Sequence, residues 1–113
     1  MIKKRSYIEN EKLARYACDI GDLDLAERCY KRAIADAEQL VGHIYDKIGC
    51  INDISYKVYF VWGRYDEAYK NFQDVLKYFQ DIGDRQYQAG ALNNMALIHE
   101  TRGEYDQAHI IIY

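Results

Sequence analysis

The sequence has no proline, an odd number of cysteines, and no apolar run as long as a membrane-spanning helix. Because proline interrupts helices, its absence leaves every segment of the chain free to be helical. A membrane span needs about 18 consecutive apolar residues, and no stretch reaches that length. The basic residues 1–5 are followed by Ser-Tyr-Ile-Glu-Asn-Glu, not by the apolar region of a signal peptide. We therefore expect a soluble protein that does not bind membranes.

The chain also lacks an excess of positive charge. Its 15 Lys and Arg residues stand against 18 Asp and Glu residues, which gives a net charge of −3. The whole imbalance lies in residues 43–113, because the first 42 residues carry equal numbers of each sign. A nucleic-acid interface needs Lys and Arg in excess on one face. We predict no binding to nucleic acid.

Little in the sequence favours a metal centre or an enzyme. Cys18, Cys29 and Cys50 form no Cys-x-x-Cys pair, so we expect free thiols in a reducing cytoplasm, with no metal and no cofactor. Of the three histidines, His43 and His99 fall at a helix start and on a core face, and glycine-rich phosphate loops are absent. The acidic residues at the predicted helix starts are explained by helix capping and by their favourable interaction with the helix dipole. The prediction is a protein without catalytic residues.

What the chain does contain is an internal repeat. Residues 21–26, 63–68 and 103–108 all read Gly-x-(Leu/Tyr)-Asp-x-Ala, with their glycines 42 and 40 positions apart. A second pattern links residues 49–55 (Gly-Cys-Ile-Asn-Asp-Ile-Ser) to residues 90–96 (Gly-Ala-Leu-Asn-Asn-Met-Ala) at a spacing of 41. Two independent patterns with one period indicate a repeat protein.

Each repeat has the pattern of a helical hairpin. Apolar residues recur at helical spacing after each hexad, glycine can end a helix in the left-handed conformation, and the hexad aspartate can cap or charge the next helix start. On the first helix, Leu13, Ala14, Ala17 and Ile20 form the expected core face. The pattern predicts an all-α protein whose first (A) helices lie near residues 6–20, 44–62 and 85–102. The second (B) helices are predicted near 23–41, 65–82 and from 105 onward.

The second repeat holds one residue more than the pattern allows. Counting back from Gly63 and counting forward from Gly49 give registers that differ by one position. The extra residue therefore lies between Tyr56 and Trp62, where either a π-bulge or a looser final turn could absorb it.

These motifs resemble the tetratricopeptide repeat, a helix-turn-helix unit with small residues in helix A, glycine at the turn, and alanine and aromatic residues in helix B. The long repeat, with Ile82-Gly-Asp-Arg and Ala91-Leu-Asn-Asn-Met-Ala, is most similar to the 40-to-42-residue repeats of kinesin light chain, spindle-orientation adaptors and bacterial peptide-sensing regulators. The resemblance implies one solenoid domain over residues 1–113. Its repeats are predicted near 6–42, 43–83 and 84–113, with five full helices and a short terminal one, or about two and a half repeats.

The resemblance also implies a binding face. Stacked hairpins line a concave groove with their A helices, and asparagines there hold peptide backbones in the family that this chain resembles. An asparagine amide can donate and accept hydrogen bonds at once. The predicted peptide-binding residues are two equivalent pairs one repeat apart and four neighbours at one-turn spacing: Asn52, Asp53, Asn93, Asn94, Arg15, Tyr56, Leu97 and Glu100.

The predicted function is a protein–protein interaction module that binds a peptide or helix in this groove. Two alternatives remain open: a peptide-sensing domain of a larger bacterial regulator, and a self-assembling repeat module. The last residues, Ile110-Ile-Ile-Tyr113, are apolar on every side, whereas a finished solenoid ends in a polar cap. We therefore expect either a segment of a longer repeat protein or self-association through residues 104–113.

Overall fold

A computed structural model describes residues 2–103 of the protein, and within that range it is entirely helical, with no strand. The predicted all-α hairpin architecture is confirmed. The predicted terminal helix from residue 105 and the apolar run 110–113 lie outside the described residues. No helix within 2–103 is both long and apolar enough to span a bilayer. The elements are α1 (Ile2–Asp19), α2 (Leu23–Glu38), α3 (Ile44–Asp53), π1 (Ile54–Phe60), α4 (Tyr65–Ile82) and α5 (Arg85–Thr101).

Successive helices pack side by side as a solenoid. Helix α1 pairs with α2, α2 packs on α3 and π1, α3 and π1 pack on α4, and α4 pairs with α5. The A helices are thus α1, α3 with its continuation π1, and α5, and the B helices are α2 and α4. A hairpin cannot bury its apolar face alone, so each one is stabilised by the next.

Glycine ends the helices at the predicted turns. Gly21 and Gly63 adopt φ angles of 80° and 79°, the left-handed region that a residue with a Cβ rarely enters. After Gly21, the Asp22 amide donates to the Ala17 carbonyl at 2.8 Å, and the Asp22 carboxylate accepts from the Leu25 amide at 3.1 Å. The cap of α2 is therefore Asp22, while Asp24 of the hexad lies in the first turn.

Small residues let the helices approach closely. Ala14 and Ala17 of α1 are completely buried, and so are Ala26 and Ala33 of α2. The prediction that Leu13 and Ile20 share this core face is wrong: they are 42% and 56% exposed. They lie at the edge of the alanine stripe, and the buried core of α1 and α2 is formed by the alanines together with Tyr7, Cys29 and Tyr30.

Helix α1 begins four residues earlier than predicted. Its first turns are anchored on α2 by Asp36, which is buried although it is an acidic residue. Ser6 Oγ donates to Asp36 Oδ2 at 2.6 Å, and Asn10 Nδ2 donates to the same oxygen at 3.3 Å. Lys3 Nζ lies 3.6 Å from Asp36 Oδ1. These three partners satisfy the buried carboxylate, and they hold residues before position 6 in helical register.

The extra residue of the second repeat is accommodated by a π-helix. Residues Ile54–Phe60 continue α3 in π geometry, which confirms the first of the two predicted alternatives. Within this segment Ile54, Ser55, Val58 and Tyr59 stay buried, so the core face is kept. Ser55 Oγ donates to the Ile51 carbonyl at 2.7 Å, a side-chain bond of the kind that competes with the α-helical ladder.

Completely buried Ala68 offers a test of the packing in the second hairpin. Leucine at this position would force neighbouring side chains out of their rotamers, at a cost of about 1–3 kcal/mol. We expect Ala68→Leu to lower the midpoint of thermal unfolding, measured by circular dichroism. An unchanged midpoint would show that the hairpin register is wrong.

The π segment predicts an unusual tolerance to deletion. Without exposed Lys57 the segment can become α-helical. Ile54 and Val58, and likewise Ser55 and Tyr59, are then three positions apart, a spacing that keeps both pairs on the core face. Removing exposed Lys70 from α4 instead rotates the rest of its apolar stripe by about 100°. We expect the Lys57 deletion to keep a cooperative thermal transition and the Lys70 deletion to lose it. Equal loss in both would contradict the role assigned to π1.

Candidate functional site

The A helices bring part of the predicted binding residues together. Asn94 of α5 and Asn52 of α3 face each other, and Asn94 Nδ2 donates to Asn52 Oδ1 at 3.5 Å. Both side chains are half-buried. We call these two residues the amide pair. One hydrogen bond of this length uses one donor and one acceptor, while two primary amides supply four N–H donors and two oxygens.

The equivalence predicted between Asn52 and Asn93 does not bring those two side chains together. Neighbouring positions on a helix point about 100° apart, so only one residue of each Asn-Asn or Asn-Asp pair can face a given neighbour. On α5 the residue that faces α3 is Asn94, and Asn93 is exposed.

Asp53 lies on the side of α3 that faces α1. Burial raises the pKa of the Asp53 carboxyl, while the nearby cations Lys57 and Arg15 oppose part of that rise and Glu11 adds to it. Exposed Arg15 is itself ion-paired with Glu11 one turn earlier on α1. The structure thus places Arg15 and Asp53 in one electrostatic cluster, although they are far apart in sequence.

The remaining predicted residues are more scattered. Tyr56 is exposed and stacks on Phe60, with ring centroids 6.0 Å apart and planes 6° from parallel. Leu97 is half-buried and Glu100 is exposed. Glu100 lies six residues beyond Asn94, which corresponds to about 9 Å along α5. Tyr56, Leu97 and Glu100 therefore stay weaker candidates than the amide pair.

Sequence reasoning missed a cavity beside the amide pair. It has a volume of about 210 Å³ and lies between α3, α4 and α5, with Asn52 among its lining residues. We call it the aromatic cavity, because three of its lining residues are Tyr45, Phe79 and Tyr87. Gly49 and Gly90, each three residues before a predicted asparagine, also line it. That repeated Gly-x-x-Asn spacing was visible in the sequence, but only the structure shows the space beside it.

The other groups with possible chemistry have packing partners. His99 is buried, and its Nε2 lies 3.3 Å from the Tyr69 hydroxyl oxygen. His43 precedes α3 with its Nδ1 2.6 Å from Asp46 Oδ2, and His109 lies outside the described residues. Burial raises the pKa of the Cys50 thiol to about 11, which disfavours the nucleophilic thiolate. In residues 2–103 no group of three or more His, Cys, Asp or Glu side chains could hold a metal.

The raised pKa of Asp53 predicts a pH-dependent effect on stability. A carboxyl that keeps its proton more tightly in the folded chain adds stability below its unfolded pKa of about 3.9, and that stability is lost as the pH rises through the folded pKa. Asp53→Asn should therefore melt above the wild type near pH 7, and the difference should shrink as the pH falls toward about 4. Circular dichroism melts of both proteins at each pH measure this. A difference that grows on acidification would contradict it.

The sequence comparisons agree with the helical hairpins. Residues 11–46, which span the second half of α1, all of α2 and the first turn of α3, match the family model of the tetratricopeptide repeat. The chain has no significant match among curated proteins and none among solved structures. The similarity to the long repeats of kinesin light chain stays a prediction. The match at residues 11–46, on a chain of stacked helical hairpins, confirms the predicted resemblance to the tetratricopeptide repeat.

Proposed function

We propose that the chain binds an extended peptide segment of a partner protein along the A helices. Tetratricopeptide repeats generally mediate protein–protein interactions, which supports a binding role in place of a catalytic one. The proposal goes further and names the face, the ligand conformation and the residues.

The amide pair is the observation that carries this proposal. An extended peptide has unpaired backbone N–H and C=O groups that must find partners when they leave water. Asn52 and Asn94 offer donors and acceptors within one small area between two helices, and their half-buried position makes each hydrogen bond to a ligand more valuable than in open water. Asn93, next to Asn94 on α5, is exposed and adds a third accessible amide.

The charge cluster around Asp53 supports a groove that extends from α3 toward α1. Arg15 and Lys57 are exposed, while Asp53 and Glu11 are half-buried. The most accessible charged groups of this cluster are therefore its two cations. A ligand that carries a carboxylate near this end would gain Coulomb energy, and salt would weaken its binding.

The test uses peptides selected against the full chain from a phage-displayed library of random dodecamers. We expect Asn52→Ala with Asn93→Ala to weaken a selected peptide by at least several-fold, because each lost amide hydrogen bond contributes about 1 kcal/mol. Asn94→Ala should act in the same direction. Isothermal titration calorimetry gives the affinities, and circular dichroism should show the fold and its melting nearly unchanged.

Gln73→Ala is the matched control, because Gln73 is an exposed amide on the B helix α4. It should leave peptide affinity at the wild-type value. Wild-type affinity in all the asparagine variants, or a library that yields no binder, would refute the proposed groove.

A further inference from the structure

We infer that the aromatic cavity is a specificity pocket that accepts one large apolar side chain, of the size of phenylalanine or leucine, from the bound peptide. This inference rests on the proposed function and deepens it, because it names the kind of residue that the ligand must carry. Five observations support it: the volume of the cavity, its lining, its aromatic wall, the two glycines at its mouth, and its position next to the amide pair.

The volume of the cavity decides the size of the occupant. Small-molecule and cofactor sites usually measure about 300–1,000 Å³, whereas a dry cavity of about 150 Å³ is enough to bind benzene. At about 210 Å³, the aromatic cavity holds a single ring or branched aliphatic group. It is too small for a typical cofactor.

The lining decides the polarity of the occupant. Ile48, Val75 and Ala91 contribute aliphatic surface from α3, α4 and α5, and none of the described residues that line the cavity is charged. Asn52 is the only amide among them. Because no lining residue is charged, a buried carboxylate would lose its hydration without an ionic partner, and a lysine or arginine would keep only a cation–π contact with the rings. An apolar side chain loses only unfavourable contact with water.

Three aromatic rings form one wall. Phe79 is buried at the centre, stacked on Tyr87 at a centroid distance of 4.7 Å and tilted against Tyr45 at 6.3 Å. The carbonyl of Phe79 accepts from Gln88 Nε2 at 3.1 Å and from the Asp84 amide at 2.9 Å, which fixes this position to the start of α5. Tyr45 and Tyr87 are 53% and 55% exposed, so their rings reach from the cavity to its mouth. Exposed aromatic edges around an apolar floor are typical of binding surfaces.

The two glycines have no packing reason for being there. Glycine inside a helix costs about 1 kcal/mol relative to alanine, and it is usually tolerated where another element needs the space. A Cβ at Gly49 or Gly90 would meet no atom within 4 Å, so no neighbouring helix requires either glycine. Both line the aromatic cavity, one from α3 and one from α5. Because Gly49 and Gly90 have no side chains, the mouth of the cavity stays open, and a peptide backbone can approach closely there.

The amide pair lies where that backbone would run. Asn52 lines the cavity and also bonds Asn94 across the gap between α3 and α5. A peptide residue whose side chain enters the cavity therefore has its own N–H and C=O groups near two primary amides. The cavity supplies selectivity for the side chain, and the amides supply affinity for the main chain of any sequence.

The experiment uses capped tripeptides, acetyl-Gly-X-Gly-amide, and methyl NMR of the full chain. With X as Phe or Leu we expect saturable shifts of the Ile48, Val75 and Ala91 methyl signals, and binding roughly tenfold or more tighter than with X as Ala, Asp or Lys. Gly90→Leu should fill the cavity and weaken the Phe tripeptide at least tenfold. Its melting midpoint should be unchanged or higher, because leucine is a better helix former than glycine. Gly49→Leu fills the cavity from the opposite wall and should weaken binding equally.

Ala89→Leu is the matched control, since it adds the same side chain at the neighbouring, exposed position of α5. It should bind the Phe tripeptide as the wild type does. Equal binding of the Ala and Phe tripeptides, or wild-type binding by both glycine variants, would overturn the inference. Shifts of the same methyl signals with protein concentration alone would show that a second copy fills the cavity, and that too would contradict it.

These outcomes separate the cavity from the groove. Tripeptide binding that survives when the dodecamer selection yields no binder would keep the pocket and refute the extended-peptide proposal. The opposite result would be dodecamers that need the asparagines but bind Gly90→Leu normally and share no large apolar residue. That result would keep the groove and refute the pocket.

Discussion

The apolar junction between the first and second hairpins is tied together by one carboxylate, that of Glu27 in α2. The Tyr59 hydroxyl donates to Glu27 Oε2 at 2.8 Å, and Arg64 Nη1 and Lys31 Nζ lie 3.2 Å and 3.3 Å from the same oxygen. Burial by itself would raise the pKa of Glu27, but the hydrogen bonds from Tyr59 and Lys31 and the charge of Arg64 outweigh it, so the pKa is lowered. The carboxylate stays charged and joins α2 to both ends of the turn that follows π1.

Tyr59 reaches Glu27 because π1 absorbs the extra residue of the second repeat. The Arg64 guanidinium then lies over the rings of Tyr59 and Trp62, at 4.7 Å and 4.9 Å from their centroids. These contacts pin the C-terminal half of the A helix in repeat two. Its N-terminal half, α3, keeps ordinary α geometry, and this half carries Gly49, Asn52 and Asp53. The irregular segment thus secures the junction, and the regular one carries residues of the proposed groove.

The helices around the proposed groove combine features that lower the stability of the fold with features that raise it. Two helix-interior glycines and a half-buried aspartate with a raised pKa all weaken the fold at neutral pH. The alanine stripe between α1 and α2 and the large buried rings of Tyr30 and Phe72 stabilise it through burial and close packing. These unfavourable choices lie on two neighbouring A helices, α3 and α5, and they support the proposal that binding occurs there.

The sequence by itself determined the helical repeat, because period and turn chemistry are local properties. Apolar spacing and glycines such as Gly21 and Gly63 were enough to predict the hairpins, their order, and the extra residue between Tyr56 and Trp62. Only the tertiary structure decided which side chains meet. The amide pair joins Asn52 to Asn94 and not to Asn93, because helix rotation and the crossing of α3 and α5 select one of two adjacent residues. The aromatic cavity is likewise lined by residues from three helices. The sequence pattern does not predict such a space, because its size depends on how the helices pack against one another.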